Sequence, residues 1–540
     1  MPARDLPARP NLEQYKKQAK ELLDAFKSGD DDAIGRVREH ARGIRASGPQ
    51  AKKISLADAQ RVLAREHGFD SWPKFATHIE TLTIAREVGA LADPVAAFFD
   101  AATAPREGHG SGTLERAEAI RGRYPEVARS SIYAAALIAD DASVRNFLSR
   151  EPALATAKGG PYGWDALTYL SFSRYLRLDA ARSDAFVRTA RALLDAGASA
   201  NTGWYETIDT PPRQVIESAI YGAAGIAQHA GVTRLLLERG ADPNDEETPY
   251  HAAETRTNDV LRILLDSGRL NDDSLATLLL RKADWHDLEG MRLLLEHGVD
   301  PNRMTPWSRT ALHQAVTRDN SMQMIELLVD HGANPSLPNT HDGRSATAIA
   351  AQRGRRAALV LFQQRGASPL TGVDALIAAC ALNDRETMQS LTIADPDLAS
   401  QLVRQGGTLL AQFAGTNNVD GVRNLIEFGV SPAALYREGD GYYGIAIDST
   451  ALHVAAWRAC HDMVKELIAL GTPVDALDGR GRTALQLAIK ASVDSPWAER
   501  RQPDSVKALL DARASRDGVE IPTGYDEVDA LLRRASRTCV

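Results

Sequence analysis

The chain has 540 residues and a formal net charge of −8; 44% of its residues are hydrophobic and 25% are charged. This length exceeds what one compact core can organise, so the chain needs several domains or an elongated array. The composition is that of an ordinary soluble protein, and the modest negative charge argues against a general nucleic-acid binder.

Compartment signals in the sequence favour the cytoplasm. The three cysteines, Cys380, Cys460 and Cys539, lie far apart, which fits a reducing compartment and gives no disulfide framework or zinc knuckle. The first residues lack the apolar run of a signal peptide, and no stretch reaches about 18 uninterrupted apolar residues. We therefore expect a cytoplasmic protein without a membrane span.

The N-terminal region, residues 1–80, does not repeat and predicts three helices. NLEQYKKQAKELLDAF places its apolar side chains on one helical face, and Asn11 with Gln14 forms a plausible capping pair. A second helix is expected from Ser55, and a third follows DSWPKFATHIETL. We predict that this module packs on the rest of the chain as a cap.

The same module carries a weak helix-turn-helix spacing, because Ala64 and Gly68 are four residues apart as in the turn of that motif. Residues 1–80 hold 15 Lys and Arg against 12 Asp and Glu, and the helix that would enter the groove has a single Lys. A DNA-reading helix needs side chains for phosphates and base edges. Nucleic-acid binding through residues 1–80 is therefore kept only as an alternative.

A connecting segment, residues 81–125, leads into a repeated pattern. LLLERGADPND at 235–245 recurs as LLLEHGVDPNR at 293–303 and LLVDHGANPSL at 327–337. The glycine that ends each such run lies at 197, 240, 268, 298, 332, 366, 429 and 471. A period of about 33 residues indicates stacked helix pairs. The longer gap after 366 is filled by DALIAACALNDRETMQSL at 374–391, a helix pair that lacks its glycine.

A second motif opens each repeat: TALHQAV at 310–316, TALHVAA at 450–456, TPYHAAE at 248–254 and TALQLAI at 483–489. Its threonine suits the N-cap of the first helix, and its small residues let neighbouring helices approach closely. The leucine run is expected to be the buried stripe of the second helix, and the closing glycine is expected to take a left-handed conformation. The motif histidines, His251, His313 and His453, are expected to form hydrogen bonds between repeats.

With these motifs the chain resembles ankyrin-repeat proteins over residues 126–515. Its opening, LPARPNLEQYKKQAKELL, resembles the N-terminal extension of a group of bacterial ankyrin-repeat proteins. The resemblance implies an all-α ankyrin-repeat solenoid of about ten helix-pair repeats, the first two degenerate, behind the N-terminal three-helix module. YDEVDALLRRAS at 525–536 predicts a C-terminal capping helix within residues 516–540, because repeat arrays need polar ends.

The resemblance also implies which residues contact a partner: the residue before the opening threonine and two residues at the end of the first helix. These positions are rich in Trp and Arg, which are enriched at the energetic centres of interfaces. They hold Trp164, Phe172, Glu247, Arg256, Asp284, Trp285, Arg309, Arg318, Arg344, Arg353, Trp457 and Arg458. Since the acids among them lie toward one end, the arginines are expected to lack enough carboxylate partners and to favour an acidic ligand.

Four insertions between repeats carry aromatic residues and are expected to project at the edge of the concave face. They lie at 159–164, 202–214, 303–309 and 435–449. The aromatic residues in them that are candidates for ligand contact are Tyr162, Trp204, Tyr205, Trp307, Tyr442 and Tyr443.

A polar cluster allows a different function. LLLRKADWHDLEG at 278–290 replaces the small inner-helix residues by charged ones, and the preceding repeat adds further polar side chains. Carboxylates, imidazole and aromatic rings together suit small-molecule binding or acid–base chemistry. The cluster comprises Tyr250, His251, Glu254, Lys282, Asp284, Trp285, His286 and Asp287.

The sequence contains no specific catalytic motif and no metal-ligand or cofactor signature. We therefore predict a monomeric interaction scaffold that needs no cofactor or metal and holds a protein or peptide partner in its concave groove. A small-molecule binder or enzyme at 247–287 and a nucleic-acid binder at 1–80 are the alternatives.

Overall fold

The computed structural model describes residues 4–40, 54–104, 108, 110–208, 212–255 and 257–535. The chain divides into two compact units, Met1–Leu270 and Asn271–Val540, called unit 1 and unit 2 below. Two residues singled out in the sequence, Arg256 and Cys539, lie outside the described residues. The described residues form 31 α-helices and four short strands.

Unit 1 begins with four helices: α1 (Leu12–Ser28), α2 (Asp31–Glu39), α3 (Leu56–Glu66) and α4 (Trp72–Gly89). The predicted N-cap of α1 is confirmed, because the Asn11 side chain accepts hydrogen bonds from the backbone N–H groups of Glu13 and Gln14. The prediction of three helices is wrong by one. Asp30 caps an additional helix by accepting from the N–H of Ala33, a capping role typical of aspartate.

Eight of the eleven remaining helices of unit 1 stack in two rows. An inner row places α7, α9, α12 and α14 in succession, and an outer row places α8, α11, α13 and α15 in succession. The helix bounds are α5 (Pro94–Ala102), α6 (Glu115–Arg123), α7 (Ile132–Leu137), α8 (Asp141–Arg150), α9 (Ala166–Ser171), α10 (Arg174–Leu178), α11 (Ser183–Asp195), α12 (Ala219–Tyr221), α13 (Ala230–Glu238), α14 (Glu247–His251) and α15 (Asp259–Asp266). The N-terminal helices reach this part of the chain through α4, which packs on α6.

The insertion at 202–214 in unit 1 forms an antiparallel hairpin of β1 (Gly203–Ile208) and β2 (Arg213–Ser218). The sequence by itself predicts only a projecting loop there. Trp204 pairs with Glu217 across the hairpin, and Glu206 pairs with Val215. These four side chains therefore leave the same face of the hairpin.

Unit 2 contains the remaining sixteen helices and two two-residue strands. The helices are α16 (Asp272–Asp284), α17 (Leu288–Glu296), α18 (Ala311–Thr317), α19 (Met322–Asp330), α20 (Ala346–Gln352), α21 (Arg356–Gln364), α22 (Gly372–Leu382), α23 (Arg385–Ala394), α24 (Asp397–Arg404), α25 (Gly406–Gly415), α26 (Val419–Glu427), α27 (Ala451–Trp457), α28 (His461–Ala469), α29 (Ala484–Asp494), α30 (Asp504–Asp511) and α31 (Asp526–Ala535). The strands β3 (Leu435–Tyr436) and β4 (Ser449–Thr450) pair at the base of the insertion at 435–449.

Unit 2 also has two rows, with one irregular step. The inner helices α16, α18 and α20 follow one another, as do α25, α27 and α29. Between them, α22 packs on α20 and also on the outer helix α26, while α25 contacts α20 directly. The helix pair predicted without a glycine is present as α22 and α23. Asn383, directly after α22, takes the left-handed conformation with φ 61°.

The repeat pattern in the sequence is confirmed by burial and backbone conformation. The central leucines of three runs, Leu236, Leu294 and Leu328, are fully buried. All eight glycines that end these runs have positive φ, from 62° at Gly268 to 103° at Gly197. The left-handed conformation explains why glycine occupies these positions, since a Cβ would lie too close to the residue's own local backbone.

We expect Gly298→Ala to destabilise unit 2 by about 1 kcal/mol. Gly298 has φ 80°, and an added Cβ would meet no atom within 4 Å beyond its own residue and its two chain neighbours, so the loss comes from local backbone strain and not from a clash with the rest of the protein. The measurement is guanidinium unfolding. Gly441→Ala is the control, because Gly441 also has an open Cβ position but its φ lies outside the left-handed range. Equal stability of the two variants would contradict the assignment.

Candidate functional site

The end of the inner helix α16 in unit 2 is organised around the carboxylate of Asp284. Arg281 Nη1 lies 2.7 Å from Asp284 Oδ2, and Arg318 Nε, from the next repeat, lies 2.9 Å from Oδ1. The Gln314 side-chain amide donates to the same Oδ1 and accepts from Arg309 Nη1 at 3.2 Å. Side chains from the ends of two successive inner helices are thus joined side by side.

A second carboxylate, Asp319, holds arginines from several parts of unit 2. Arg353 Nη2 lies 2.9 Å from Asp319 Oδ2, Arg458 Nη2 lies 2.5 Å from the same oxygen, and Arg355 Nε lies 4.0 Å from Oδ1. Both Arg353 and Arg458 are buried. The expectation that these arginines lack carboxylate partners is therefore wrong, because Asp319 stands one residue beyond the positions considered in the sequence.

The charge state of Asp319 follows from its surroundings. Burial by itself raises the pKa of this carboxyl, but the guanidinium groups of Arg353, Arg458 and Arg355 outweigh burial and hold the pKa below its ordinary range. Asp319 is therefore ionised at neutral pH. One buried carboxylate then faces three cations, an arrangement that needs every partner in place.

The insertion between β3 and β4, residues 437–448, lies on this network and is called the tyrosine loop below. The Tyr442 hydroxyl donates to the backbone oxygen of Asp284 at 2.9 Å, and the Arg318 guanidinium lies 3.7 Å from the Tyr442 ring centre. Tyr443 is buried, with the Arg458 guanidinium 4.6 Å from its ring centre. Cation–π contacts of this kind fix both partners.

The other predicted contact residues of unit 2 differ in exposure. Trp285 is the C-cap residue of α16, and its side chain is 41% exposed. Tyr442 is 46% exposed. Arg344 is exposed, with its nearest carboxylate, Asp342, at 3.8 Å. Trp457 is half-buried and donates its indole N–H to the Tyr443 backbone oxygen at 2.6 Å. Trp307 is exposed in the turn before α18.

In unit 1 the predicted contact residues Trp164 and Phe172 are buried and not available to a partner. Trp164 stacks on Trp204 with 5.3 Å between ring centres, and Phe172 meets Trp204 edge-on at 6.2 Å. Tyr162 lies 5.0 Å from Trp164. The aromatic residues of the insertions at 159–164 and 202–214 thus form core, since they shield one another from water; only Tyr205 is strongly exposed.

The predicted acid–base cluster falls into two parts, one in each unit. In unit 1, His251 lies between Glu247 at 3.3 Å and Glu254 at 3.1 Å, and Tyr250 meets its ring edge-on at 4.9 Å. Burial lowers the pKa of His251, but the hydrogen bonds to Glu247 and Glu254 outweigh burial and raise it to about 9.

In unit 2, Lys282 is fully buried and its Nζ lies 2.7 Å from Asp287 Oδ2. His286 is exposed and its Nδ1 lies 3.1 Å from the Asn320 amide nitrogen. Lys282 and Asp284 therefore each have ionic partners within unit 2. Among the described residues, no group of three His, Cys, Asp or Glu side chains is placed to hold a metal ion.

Comparison with known proteins gives matches for part of the chain. The family profile described as three copies of the ankyrin repeat matches residues 279–371, and the profile of a single ankyrin repeat matches residues 448–479. The protein contains ankyrin repeats. Both matched segments lie in unit 2, where Asp284, Asp319 and Arg458 are located.

One sequence relative and two solved structures described as ankyrin-repeat proteins are similar to part of this chain. A putative ankyrin repeat-containing protein of Treponema pallidum (strain Nichols) is 42% identical over 69 residues, which is 13% of this chain and 23% of that protein. The human ASB11 ankyrin repeat domain is matched over 44% of this chain and 98% of its own, at 22% identity and a TM-score of 0.20.

The ankyrin repeat domain of Bcl-3, described as a unique member of the IkappaB protein family, is matched over 43% of this chain and 96% of its own. Its identity is 22% and its TM-score is 0.20.

Two ankyrin-motif histidines have the predicted role. His313 bonds through Nδ1 to the Thr310 hydroxyl at 2.7 Å and through Nε2 to the Leu337 backbone oxygen at 3.0 Å. His453 makes the same pair of contacts, with Thr450 and with the backbone oxygen of Arg482. His251 departs from this pattern because carboxylates flank it on both sides.

Within the described part of the chain, every helix is too short or too polar to span a bilayer.

We expect Asp319→Asn to destabilise unit 2 by about 3 to 5 kcal/mol, because it leaves buried arginines without their counter-charge. Since the pKa of Asp319 is lower in the folded state, its contribution is complete above about pH 4 and is lost as the pH falls through the lower folded pKa. The measurement is guanidinium unfolding of wild type and variant at several pH values.

The control for this experiment is Asp330→Asn. Asp330 pairs with Arg365 at 2.6 Å, but its side chain is 52% exposed. Exposed pairs contribute at most about 1 kcal/mol. Similar losses in the two variants would contradict the central role of Asp319.

Proposed function

We propose that the protein is an interaction scaffold that holds a protein or peptide partner on the inner-helix face of unit 2. The observation that carries the proposal is the pair of exposed aromatic residues, Trp285 and Tyr442, on a fixed polar base. The Tyr442 hydroxyl is bonded to the backbone of Asp284, the residue before Trp285. Aromatic side chains with such exposure are typical anchors of interfaces.

The base below the two rings is ordered before any partner arrives. Arg318 is fixed by Asp284 at 2.9 Å and lies against the Tyr442 ring. Tyr442 is held at its hydroxyl end and on one face, so little side-chain entropy remains to be lost on binding. Preorganisation of this kind raises affinity by reducing the ordering cost.

The local charge supports an acidic partner. Five arginines share two carboxylates in this face: Arg281 and Arg318 at Asp284, and Arg353, Arg355 and Arg458 at Asp319. The Asp440 carboxyl of the tyrosine loop also acts on Arg353, so five positive and three negative charges leave a formal excess of +2. Carboxylate or phosphate groups on a partner would be attracted by this excess.

Arg309 is the cation best placed to meet such a partner. It is half-buried, it donates to Gln314 at 3.2 Å, and no carboxylate pairs with it among the described residues of unit 2. Its guanidinium therefore keeps donors for a ligand, whereas Arg353 and Arg458 are committed to Asp319.

We expect Trp285→Ala to weaken partner binding by about 2 kcal/mol or more, as for a central aromatic anchor. Candidate partners would be captured by crosslinking in the native host, purified, and titrated against wild type and variant by isothermal calorimetry. Ile393→Ala is the control, because Ile393 is a strongly exposed apolar residue of a different helix, α23. A partner that loses affinity equally with both variants, or with neither, would place the site elsewhere.

We expect Arg309→Gln to weaken binding of the same partner and to reduce the dependence of its affinity on salt. The change removes one unpaired cation and keeps a hydrogen-bonding side chain. The measurement is the dissociation constant at NaCl concentrations from about 50 to about 300 mM, a range over which screening changes strongly. Arg292→Gln, on the exposed side of α17, is the control. A wild-type affinity that does not change with salt would contradict an acidic partner.

A further inference from the structure

Two buried side chains beneath the tyrosine loop keep hydrogen-bond donors that the chain does not use. Tyr443 is 8% exposed and Arg458 is 3% exposed. Among the described residues, neither the Tyr443 hydroxyl nor Arg458 Nε has a hydrogen-bond partner. The two residues are in contact, since the Arg458 guanidinium carbon lies 4.6 Å from the centre of the Tyr443 ring. Buried polar atoms without partners are rare and costly, so two of them in adjacent side chains indicate an acceptor from outside the chain.

The remaining contacts of Arg458 fix its position without satisfying Nε. Its Nη2 donates to Asp319 Oδ2 at 2.5 Å, and its guanidinium carbon also lies 4.6 Å from the centre of the Trp497 ring. The rings of Tyr443 and Trp497 are 5.4 Å apart. Aromatic faces attract the charge of a guanidinium group, but they are weak hydrogen-bond acceptors. Arg458 is therefore held in place with one N–H group left for a ligand.

The charged groups around Asp319 leave one positive charge without a counter-charge. Arg353, Arg355 and Arg458 lie 2.9, 4.0 and 2.5 Å from its carboxylate, and the Asp440 carboxyl also acts on Arg353. Three cations and two carboxylates give a formal charge of +1. Because Arg353 and Arg458 are buried, water screens this charge poorly. A ligand with a single negative charge would complete the network.

Two neighbouring titratable groups do not change this count. Burial raises the pKa of the Cys460 thiol, so the thiol is neutral at pH 7. Arg500 Nη1 lies 3.9 Å from the Cys460 sulfur, but Arg500 is itself paired with Glu499 at 3.6 Å. This pair adds no net charge, and the surplus stays with the arginines at Asp319.

A second tyrosine shows that burial alone does not leave a hydroxyl without a partner here. Tyr436, in β3, belongs to the same apolar cluster as Tyr443 and is equally buried. The Tyr436 hydroxyl accepts a hydrogen bond from the Gln412 side-chain amide at 2.9 Å. Burial is the largest of the effects that raise the pKa of the Tyr443 hydroxyl, so this hydroxyl keeps its proton and can donate it in a hydrogen bond.

We propose that one compact monovalent anion of the size of chloride binds beneath the tyrosine loop, with the Tyr443 hydroxyl and Arg458 Nε as its hydrogen-bond donors. The ion has to be small because both donor residues are more than nine-tenths buried. It takes up the surplus charge at Asp319 and leaves the surplus of Arg281 and Arg318 at Asp284. The ion is therefore a ligand distinct from the partner proposed for the exposed Trp285 and Tyr442.

The first test measures the stability of the full chain by urea unfolding in potassium gluconate, with chloride replacing gluconate at constant ionic strength. A ligand that binds only the folded state raises the unfolding midpoint as its site fills. We expect chloride and bromide to give a rise that saturates, from which a dissociation constant follows. Sulfate at the same ionic strength should give no saturating rise, since general salt effects on protein surfaces do not fill a site.

The deciding variant is Tyr443→Phe, which removes the unused hydroxyl and keeps the ring that contacts Arg458. We expect it to weaken chloride binding by about tenfold or more, because a charge-assisted hydrogen bond is lost. In gluconate alone the variant should be at least as stable as the wild type, because a buried donor without a partner has been removed.

Tyr436→Phe is the matched control, since it is the same change at an equally buried tyrosine of the same cluster. Its hydroxyl is bonded to Gln412, so the variant should lose stability in gluconate and in chloride alike. Its chloride dissociation constant should remain that of the wild type.

A direct measurement locates the ion. Crystals of the full chain grown in bromide should show an anomalous scattering peak in contact with the Tyr443 hydroxyl and Arg458 Nε. This measurement also decides the proposal if Tyr443→Phe does not fold.

Several results would overturn the proposal. They are a stability that does not depend on chloride or rises without saturating, a saturating rise of the same size in sulfate, and an equal chloride response of wild type and Tyr443→Phe. Equal weakening in Tyr443→Phe and Tyr436→Phe, or no bromide peak at the two donors, would do the same. A buried water in place of the anion would produce the first of these results. None of the measurements uses a protein or peptide partner, so the failure of this proposal and that of the interaction scaffold remain distinguishable.

Discussion

A pair of short helices cannot bury its own apolar faces, and this constraint organises the whole array. Leu236, Leu294 and Leu328 are buried only because another helix pair lies beside each of them. Close stacking requires small residues on the inner helices, and it brings backbone groups of adjacent repeats within reach of side chains. His313 and His453 use that proximity, since each joins the opening threonine of one repeat to a backbone oxygen of the next.

Stacking also brings the charges at the ends of inner helices together, whether or not they attract. Arg318 meets Asp284 and Arg353 meets Asp319 because each pair belongs to successive inner helices. Buried ion pairs of this kind add little net stability, as desolvation offsets the attraction. Their effect is on specificity: Asp319 can hold Arg353, Arg355 and Arg458 together only if α18, α20 and α27 take one arrangement. The tyrosine loop depends on that arrangement, because its two rings lie on Arg318 and Arg458.

Much of the fold could be predicted from the sequence because local rules act in each repeat. The positive φ of Gly298 and the Asn11 cap follow from backbone sterics and from one side chain. The candidate sites depend instead on pairings across the chain. Asp319 was missed because it stands just beyond the expected contact positions, although its place directly after Arg318 is a readable signal. The unused donors of Tyr443 and Arg458 could not be predicted, because they depend on how the tyrosine loop packs on the inner helices, and periodicity alone does not fix the path of an insertion.

The residue before the opening threonine differs in charge between the units, since it is Glu247 in unit 1 and Arg309 in unit 2. The position eight residues after that threonine does not differ, because it is arginine in both, Arg256 and Arg318. In unit 2 the charged side chains of successive inner helices meet at Asp284 and Asp319, and arginines outnumber these carboxylates. The chain's net charge of −8 averages over such positions and does not predict this local excess. In a repeat array the sign of a ligand follows from the charges that stacking brings into register, so charge has to be counted position by position along the repeats.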